Sequence, residues 1–226
     1  MSKIFLLMSF FSVHFCYAAK DHEYYAKQLH DLYELYCHNR PGDIHEHIPD
    51  LKELASECSS AVEIGVRSMV STWGILEGLP KSANSTYIGI DLSAPPNHSL
   101  SKAKLICQVL GIDFQFWQGN DMILNIPPVD MLFIDSLHTY CHLTFELEKF
   151  SPQVAKYIAL HDTSGLWGEK DETCYRGNRS EYPAWIDRSK RGLWPAVVDF
   201  LERHPEWTLY RRKLNNNGFT VLKRKD

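Results

Sequence analysis

Short apolar runs alternate with helix-like segments along most of this chain, and that alternation limits the fold more than any other feature. The runs fall at residues 61–64, 87–90, 114–117, 129–134 and 157–160. Segments 71–79, 100–110, 140–150 and 194–203 carry apolar residues at helical spacing. Gly111 closes the second of these helices. Strands that alternate with helices imply a mainly parallel sheet with right-handed crossovers. Two late runs, 208–213 and 219–222, flank Asn215-Asn216-Asn217-Gly218, which has the composition of a hairpin turn. The expected fold is therefore α/β: a Rossmann-like, doubly wound, mainly parallel seven-stranded sheet with an antiparallel C-terminal hairpin. A chain of 226 residues with 44% hydrophobic content has enough apolar mass for one such domain.

The N-terminus has a different character. Lys3 precedes an apolar run, 4–15, broken only by Ser9, Ser12 and His14, and Cys16-Tyr17-Ala18 places small residues where a signal peptidase reads. Residues 1–18 read as a signal peptide cleaved after Ala18, which implies export. The alternative is a helix that packs on the domain or lies on a membrane surface, in a cytoplasmic chain. The run is too short to span a bilayer, and no other segment has the length of a transmembrane span. Residues 19–58 form a helical extension, with Tyr25, Leu29, Leu32, Tyr33 and Tyr36 at helical spacing and a second short helix at 49–57. Residues 59–226 form the main domain. Within it, 164–192 is a long stretch without regular pattern, as in a lid or substrate loop. Pro41-Gly42 separates the two extension helices.

Charge and cysteines exclude some functions. A formal charge of −4 gives no electrostatic case for nucleic acid. The basic residues near the C-terminus suit a solvated edge strand. Past Ala18 the cysteines are Cys37, Cys58, Cys107, Cys141 and Cys174, an odd set without a CxxC pair, so neither a disulfide framework nor a zinc pattern is present. Asn84, Asn97 and Asn178 open glycosylation sequons. No feature fixes an oligomeric state.

Open α/β sheets bind ligands at the carboxyl ends of their strands. Each of the first five runs ends in polar residues: Glu63 and Gly65, then Asp91, then the stretch 118–121, then Asp135 to His138, then His161 and Asp162. Gly65 allows the backbone to approach a ligand, and Ser68 and Ser71 lie at a helix N-terminus. Arg67 and Met69 stand where a dinucleotide fingerprint would place further glycines, which counts against a pyrophosphate-bearing cofactor. Asp91 is placed to take both hydroxyls of a ribose. Hydrogen bonds to a charged acceptor contribute roughly 1.5–3 kcal/mol.

Val62-Glu63-Ile64-Gly65, Tyr87-Ile88-Gly89-Ile90-Asp91 and the run from Asp130 through Asp135-Ser136-Leu137-His138-Thr139-Tyr140 resemble class I S-adenosylmethionine-dependent methyltransferases, more narrowly the methyltransferase domain 24 family. Leu160-His161-Asp162-Thr163 and the ending from Gly192 to Leu222 also fit. The resemblance covers residues 51–224 and implies S-adenosylmethionine (SAM) as cofactor. It implies that Glu63 and Gly65 flank the methionine moiety, with Ser68 and Ser71 near its carboxylate. Asp91 would hold the ribose, and Asn120 and Asp121 the adenine. Asp135 and His138 would sit where acceptor and sulfonium meet, making them the candidate catalytic pair. Two departures stand out: Ser136 replaces a glycine, and Val154-Ala155-Lys156 replaces a Gly-Gly turn, which suggests a different loop there.

The implied reaction is direct displacement, in which the protein aligns donor and acceptor and removes a proton. His138 suits the base, and it equally suits a structural partner of Asp162 or of a lid residue. Asp135 and Asp162 are candidate ligands for Mg²⁺, since oxygen-only ligation suits that ion. The acceptor class is a small molecule or carbohydrate hydroxyl. The alternatives are an exported binding protein without turnover and a nicotinamide-dependent oxidoreductase.

Overall fold

The computed structural model describes residues 3–38, 43–172 and 179–225, with side chains from residue 20 onward except that of Arg179. Cys174, Tyr175 and the sequon at Asn178 lie outside the described residues, as do Pro41 and Gly42.

Seven strands form one sheet: β1 (Ser60–Ile64), β2 (Ser85–Asp91), β3 (Ile112–Gln118), β4 (Val129–Ile134), β5 (Val154–His161), β6 (Trp207–Lys213) and β7 (Phe219–Arg224). Their order is β3-β2-β1-β4-β5-β7-β6. The first five are parallel, and β7 inserts antiparallel between β5 and β6. The helices are α1 (Lys3–His38), α2 (Ile48–Ser56), α3 (Val70–Gly78), α4 (Asn97–Leu110), α5 (Tyr140–Phe150), α6 (Gly165–Glu169) and α7 (Leu193–Arg203). Strand order reverses between β1 and β4, whose registers align Ile64 with both Ile90 and Ile134. Gly65, Asp91 and Asp135 therefore emerge side by side at the switch point.

The strands alternate between two cores, because successive side chains leave a strand on opposite faces, with a break at the Val129–Met131 bulge of β4. Ala61, Tyr87, Met131, Phe133 and Tyr157 pack on one face with Leu29 of α1, Leu51 of α2, Trp73 of α3 and Ile106 of α4. Val62, Ile88, Leu132, Ile158 and Leu222 pack on the other with Leu147 of α5 and Phe200 of α7. Each fully buried side chain of this size stabilises the fold by about 1.5–3 kcal/mol.

Three local expectations need revision. Val154, Ala155 and Lys156 open β5 rather than forming a loop, because Val154 pairs with Val129 across a bulge and the Lys156 ammonium reaches the Glu57 carbonyl at 2.6 Å. The described residues of 164–192 hold a short helix, α6, and a 3₁₀ turn at Arg179–Glu181. The edge strand β6 does carry basic residues, but Arg211 and Lys213 each reach Asp50 of α2 at 2.7 Å instead of standing free in solvent.

Helix α1 runs unbroken from Lys3 to His38, so the first helix of the extension continues back through residues 3–18. Its described half lies on the α3 and α4 face, where Tyr36 stacks on Trp73 at 6.4 Å. No helix among the described residues is long and apolar enough to cross a membrane. Cys37, Cys58 and Cys107 are free thiols, Cys141 is buried, and no disulfide forms among the described residues.

Candidate functional site

β1 leads into Gly65, whose φ of +92° suits glycine and whose missing side chain leaves room for the Asp135 backbone. The loop that follows carries Arg67 and Met69 in the left-handed region, at φ 44° and 68°. Non-glycine residues are uncommon there. Asp91 holds this loop in place: its Oδ2 accepts the Arg67 N–H at 2.8 Å, and its Oδ1 accepts the Ser93 N–H at 2.9 Å.

Two cavities meet at the switch point. The larger, of about 300 Å³, is lined by Gly65, Arg67, Asp91, Asn120, Asp121 and Asp135 among others. The smaller, of about 100 Å³, is lined by Gly65, Arg67, Ser68, Ser71 and Asp135, with Asp43 and Ile44 of the extension as its cover. Gly65, Arg67 and Asp135 border both. The structure thus brings together Gly65, Ser68, Ser71, Asp91, Asn120, Asp121 and Asp135.

Glu63 lies elsewhere. It shares the strand face of Ala61, so its carboxylate points under α3 and lines neither cavity. It is fully buried and accepts hydrogen bonds from Ser71, Thr72 and Tyr87. Burial pushes its carboxyl up to about 7, although the bonds from Ser71, Tyr87 and Thr72 pull the other way. Glu63 shapes the cleft by holding the start of α3 against the sheet, and it commits the Ser71 hydroxyl in doing so. The role that resemblance suggests for Glu63 beside a bound ligand does not match this placement.

Beside the point where the cavities meet lies a charged cluster from the ends of β4 and β5. His138 Nε2 is 2.9 Å from Asp162 Oδ2 and 3.6 Å from Asp135 Oδ1. Its Nδ1 is 3.4 Å from Glu172, and its ring stacks on Trp167. His161 Nδ1 faces the same acids at 3.2 and 3.6 Å. Burial alone would lower His138, but Asp135 and Asp162 overcome it and push the imidazole up to about 10. Burial would raise Asp135, yet His138 and His161 hold its carboxyl well below the usual range. In this arrangement His138 is an imidazolium at neutral pH.

Asp162 has φ +57°, a conformation that costs on the order of 1–3 kcal/mol outside glycine. That turn aims its carboxylate back at His138 and His161. Thr163 points away, bonded to Thr220 at 2.7 Å.

The donors of Asp135, His161 and Asp162 lie within 4.8 Å of one another. His161 Nδ1 faces both carboxylates, and Asp162 Oδ1 accepts no hydrogen bond. His161 Nε2 donates to the Asn216 carbonyl at 3.1 Å, which fixes Nδ1 toward the acids. A void of about 10 Å³ adjoins Asp135, His138 and His161, about the space one water needs. Two carboxylates and an oriented imidazole fit a divalent cation.

A second buried network was not apparent from the sequence. Asp121 turns its carboxylate to His142 Nε2 at 2.8 Å, and His142 Nδ1 meets the Tyr182 hydroxyl at 3.0 Å. Glu146, one helical turn from His142, accepts the Ser136 hydroxyl at 2.7 Å. Burial would raise Asp121, but His142 holds it down at about 2. Burial and the nearby Asp121 push Glu146 well above the ordinary range. The one sequence signal was the spacing of His142 and Glu146, four apart on one face of α5.

No protein family model matches this sequence, and no curated protein does. Solved structures share its fold. The SAH-bound methyltransferase PaMTH1 of Podospora anserina is 15% identical over 92% of this chain and 95% of its own, with a TM-score of 0.52. The O-methyltransferase from Bacillus cereus in complex with SAH is 13% identical over 89% and 90%, also at 0.52. TomG of Streptomyces achromogenes, an O-methyltransferase of tomaymycin synthesis in complex with SAM, is 14% identical over 89% and 90%, at 0.52.

Proposed function

We propose that this chain is a SAM-dependent methyltransferase that methylates a hydroxyl of a small molecule or carbohydrate. The observation that carries the reading is the junction of the two cavities at Gly65 and Asp135, directly beside the His138 cluster. The shared fold with SAM- and SAH-bound methyltransferases supports it.

The residues present suit the cofactor. A side chain at Gly65 would collide with the Asp135 backbone and spread the strand ends where the two cavities meet. Asp91 has lone pairs left for ribose hydroxyls beyond its two backbone bonds. Asn120 and the 119–122 loop would border the adenine, and Ser68 the methionine carboxylate. Bound there, SAM supplies an activated methyl group.

The chain's own task is alignment and proton removal. Asp135 borders both cavities and orients His138. Trp167 and Glu172 wall the His138 ring on the lid side, where the acceptor would enter. Neutral His138, which the two acids make scarce at neutral pH, keeps its Nε2 proton on Asp162 and would take the acceptor proton at Nδ1, the nitrogen on the lid side. Asp135, Asp162 and His161 are the groups that would hold a divalent ion, Mg²⁺ or a softer one. Such an ion would lower the pKa of the acceptor hydroxyl.

The charged state of His138 also favours a second reading: a binding protein that kept the cleft and lost turnover. The N-terminal signal reading belongs with it, because export would separate the chain from a cytosolic metabolite. Incubation with methyl-labelled SAM and a panel of phenolic, catecholic and sugar acceptors separates the two. Label transferred to an acceptor supports the enzyme. Label retained by the protein but never transferred supports the binding protein, and displacement by NAD rather than SAH would overturn both.

A further inference from the structure

We propose that Asp121, His142 and Glu146 form a binding site for a divalent transition-metal ion beneath the 119–122 end of the larger cavity. This site is separate from the Asp135 cluster and stands whether or not the cleft takes SAM.

The side chain of Thr139 caps α5 by accepting the His142 N–H, which fixes the first turn. Position 142 and position 146 then face the same way, toward the loop after β3. That loop is closed by Met122 N–H donating to Asn120 and to Asp121 Oδ1, each at 2.9 Å, and it delivers the Asp121 carboxylate to His142. One nitrogen and two carboxylate oxygens converge, all within 4.8 Å of one another. His142 Nε2 is 2.8 Å from Asp121 Oδ2 and 3.7 Å from Glu146 Oε1. Donors around a tetrahedral ion at about 2.1 Å lie about 3.4 Å apart, between those two values.

Burial makes a neutralising cation favourable. Asp121, His142 and Glu146 are 8%, 6% and 0% exposed. Among the described residues no lysine or arginine nitrogen comes within 4 Å of either carboxylate; the nearby Lys149 ammonium goes to the Asp121 main-chain oxygen instead. Glu146 Oε2 has no N–H or hydroxyl partner although Glu146 is wholly buried, and its carboxylate neighbour is Asp121, so the two acids need a shared proton or a cation between them. An orphaned buried carboxylate oxygen is costly, and a metal ligand bond removes that cost.

The surrounding contacts match those of a metal ligand set. Tyr182 engages Nδ1 of His142 and leaves Nε2 for the centre, as second-shell partners of ligating histidines do. Ser136 holds Glu146 Oε1. Imidazole with two carboxylates suits zinc, manganese, iron or cobalt better than magnesium or calcium.

The test uses the full chain stripped with a chelator and dialysed against Zn²⁺, with bound metal counted by atomic emission. Glu146→Gln should hold one zinc fewer than wild type while keeping its near-UV circular dichroism. Asp135→Asn should retain the zinc that Glu146→Gln loses. A folded Glu146→Gln chain that holds as much zinc as wild type, with unchanged affinity, overturns the proposal and returns the cluster to a proton-sharing network. If Glu146→Gln does not fold, Asp121→Asn is read in the same way. A wild-type chain that takes up no zinc overturns it without any variant.

Discussion

A methyl group placed on Gly65 would lie 1.9 Å from the carbonyl oxygen of Asp135 and 2.5 Å from its carbonyl carbon. β1 and β4 run this close because Asp135 N–H donates to the Ile64 carbonyl at 2.9 Å. Gly65→Ala must therefore spread the strands at the switch point and also hold alanine at positive φ. The two effects together should destabilise the fold by about 2–5 kcal/mol in urea titration. Cofactor binding should be lost with it. Native stability with intact binding would mean that the strand ends are not packed as described.

The buried Glu63 makes stability depend on pH in a defined direction. Its folded pKa, about 7, lies above the ordinary value of 4.5. Its contribution is therefore fully present below about pH 4.5 and is lost as pH rises through 7. Glu63→Gln removes the titration. The stability of wild type relative to Glu63→Gln should fall between pH 5 and pH 8, by on the order of a few kcal/mol. A difference that stays constant across that range would place the Glu63 carboxyl in water rather than under α3.

His138 sets the pH dependence of turnover. Its imidazole is held at about 10 by Asp135 and Asp162. If its neutral form takes the acceptor proton, kcat/KM measured in chelator should rise across the neutral range and level near pH 10. Asp162→Asn removes one of the two acids and should move the rising limb to lower pH. A limb that stays in place would assign the proton transfer to another group.

Tyr182 links the lid to the cleft floor through His142. Tyr182→Phe should cost about 1 kcal/mol of stability and speed proteolysis within 179–192, with the sheet intact. Unchanged proteolysis would show that the hydroxyl contact does not anchor the segment.

All seven strands and the doubly wound class were legible in the sequence, the five parallel ones as short apolar runs and the last two by the hairpin turn at 215–218. β4 matches its apolar run, 129–134, residue for residue. β5 was read too short, since Lys156 interrupts the apolar pattern and only tertiary contact with Glu57 accounts for it. At the site, Gly65, Asp91 and Asp135 could be placed from strand ends alone. The direction of Glu63 could not, because a strand's two faces are equivalent until the helices are placed. His142 and Tyr182 are 40 positions apart, and His142 looked like an ordinary helix residue. Arg67 gave a signal only by standing where a glycine was expected.

The central claim is that the cleft between Gly65, Asp91 and Asp135 binds SAM. Isothermal titration of the folded chain with SAH tests it most directly, run beside Asp91→Ala. The wild-type chain should bind one equivalent. Asp91→Ala should weaken binding by tenfold to more than a hundredfold, the equivalent of roughly 1.5–3 kcal/mol, with a far smaller change in thermal midpoint. No heat of binding from wild-type protein of native circular dichroism, with either SAH or SAM, would contradict the account.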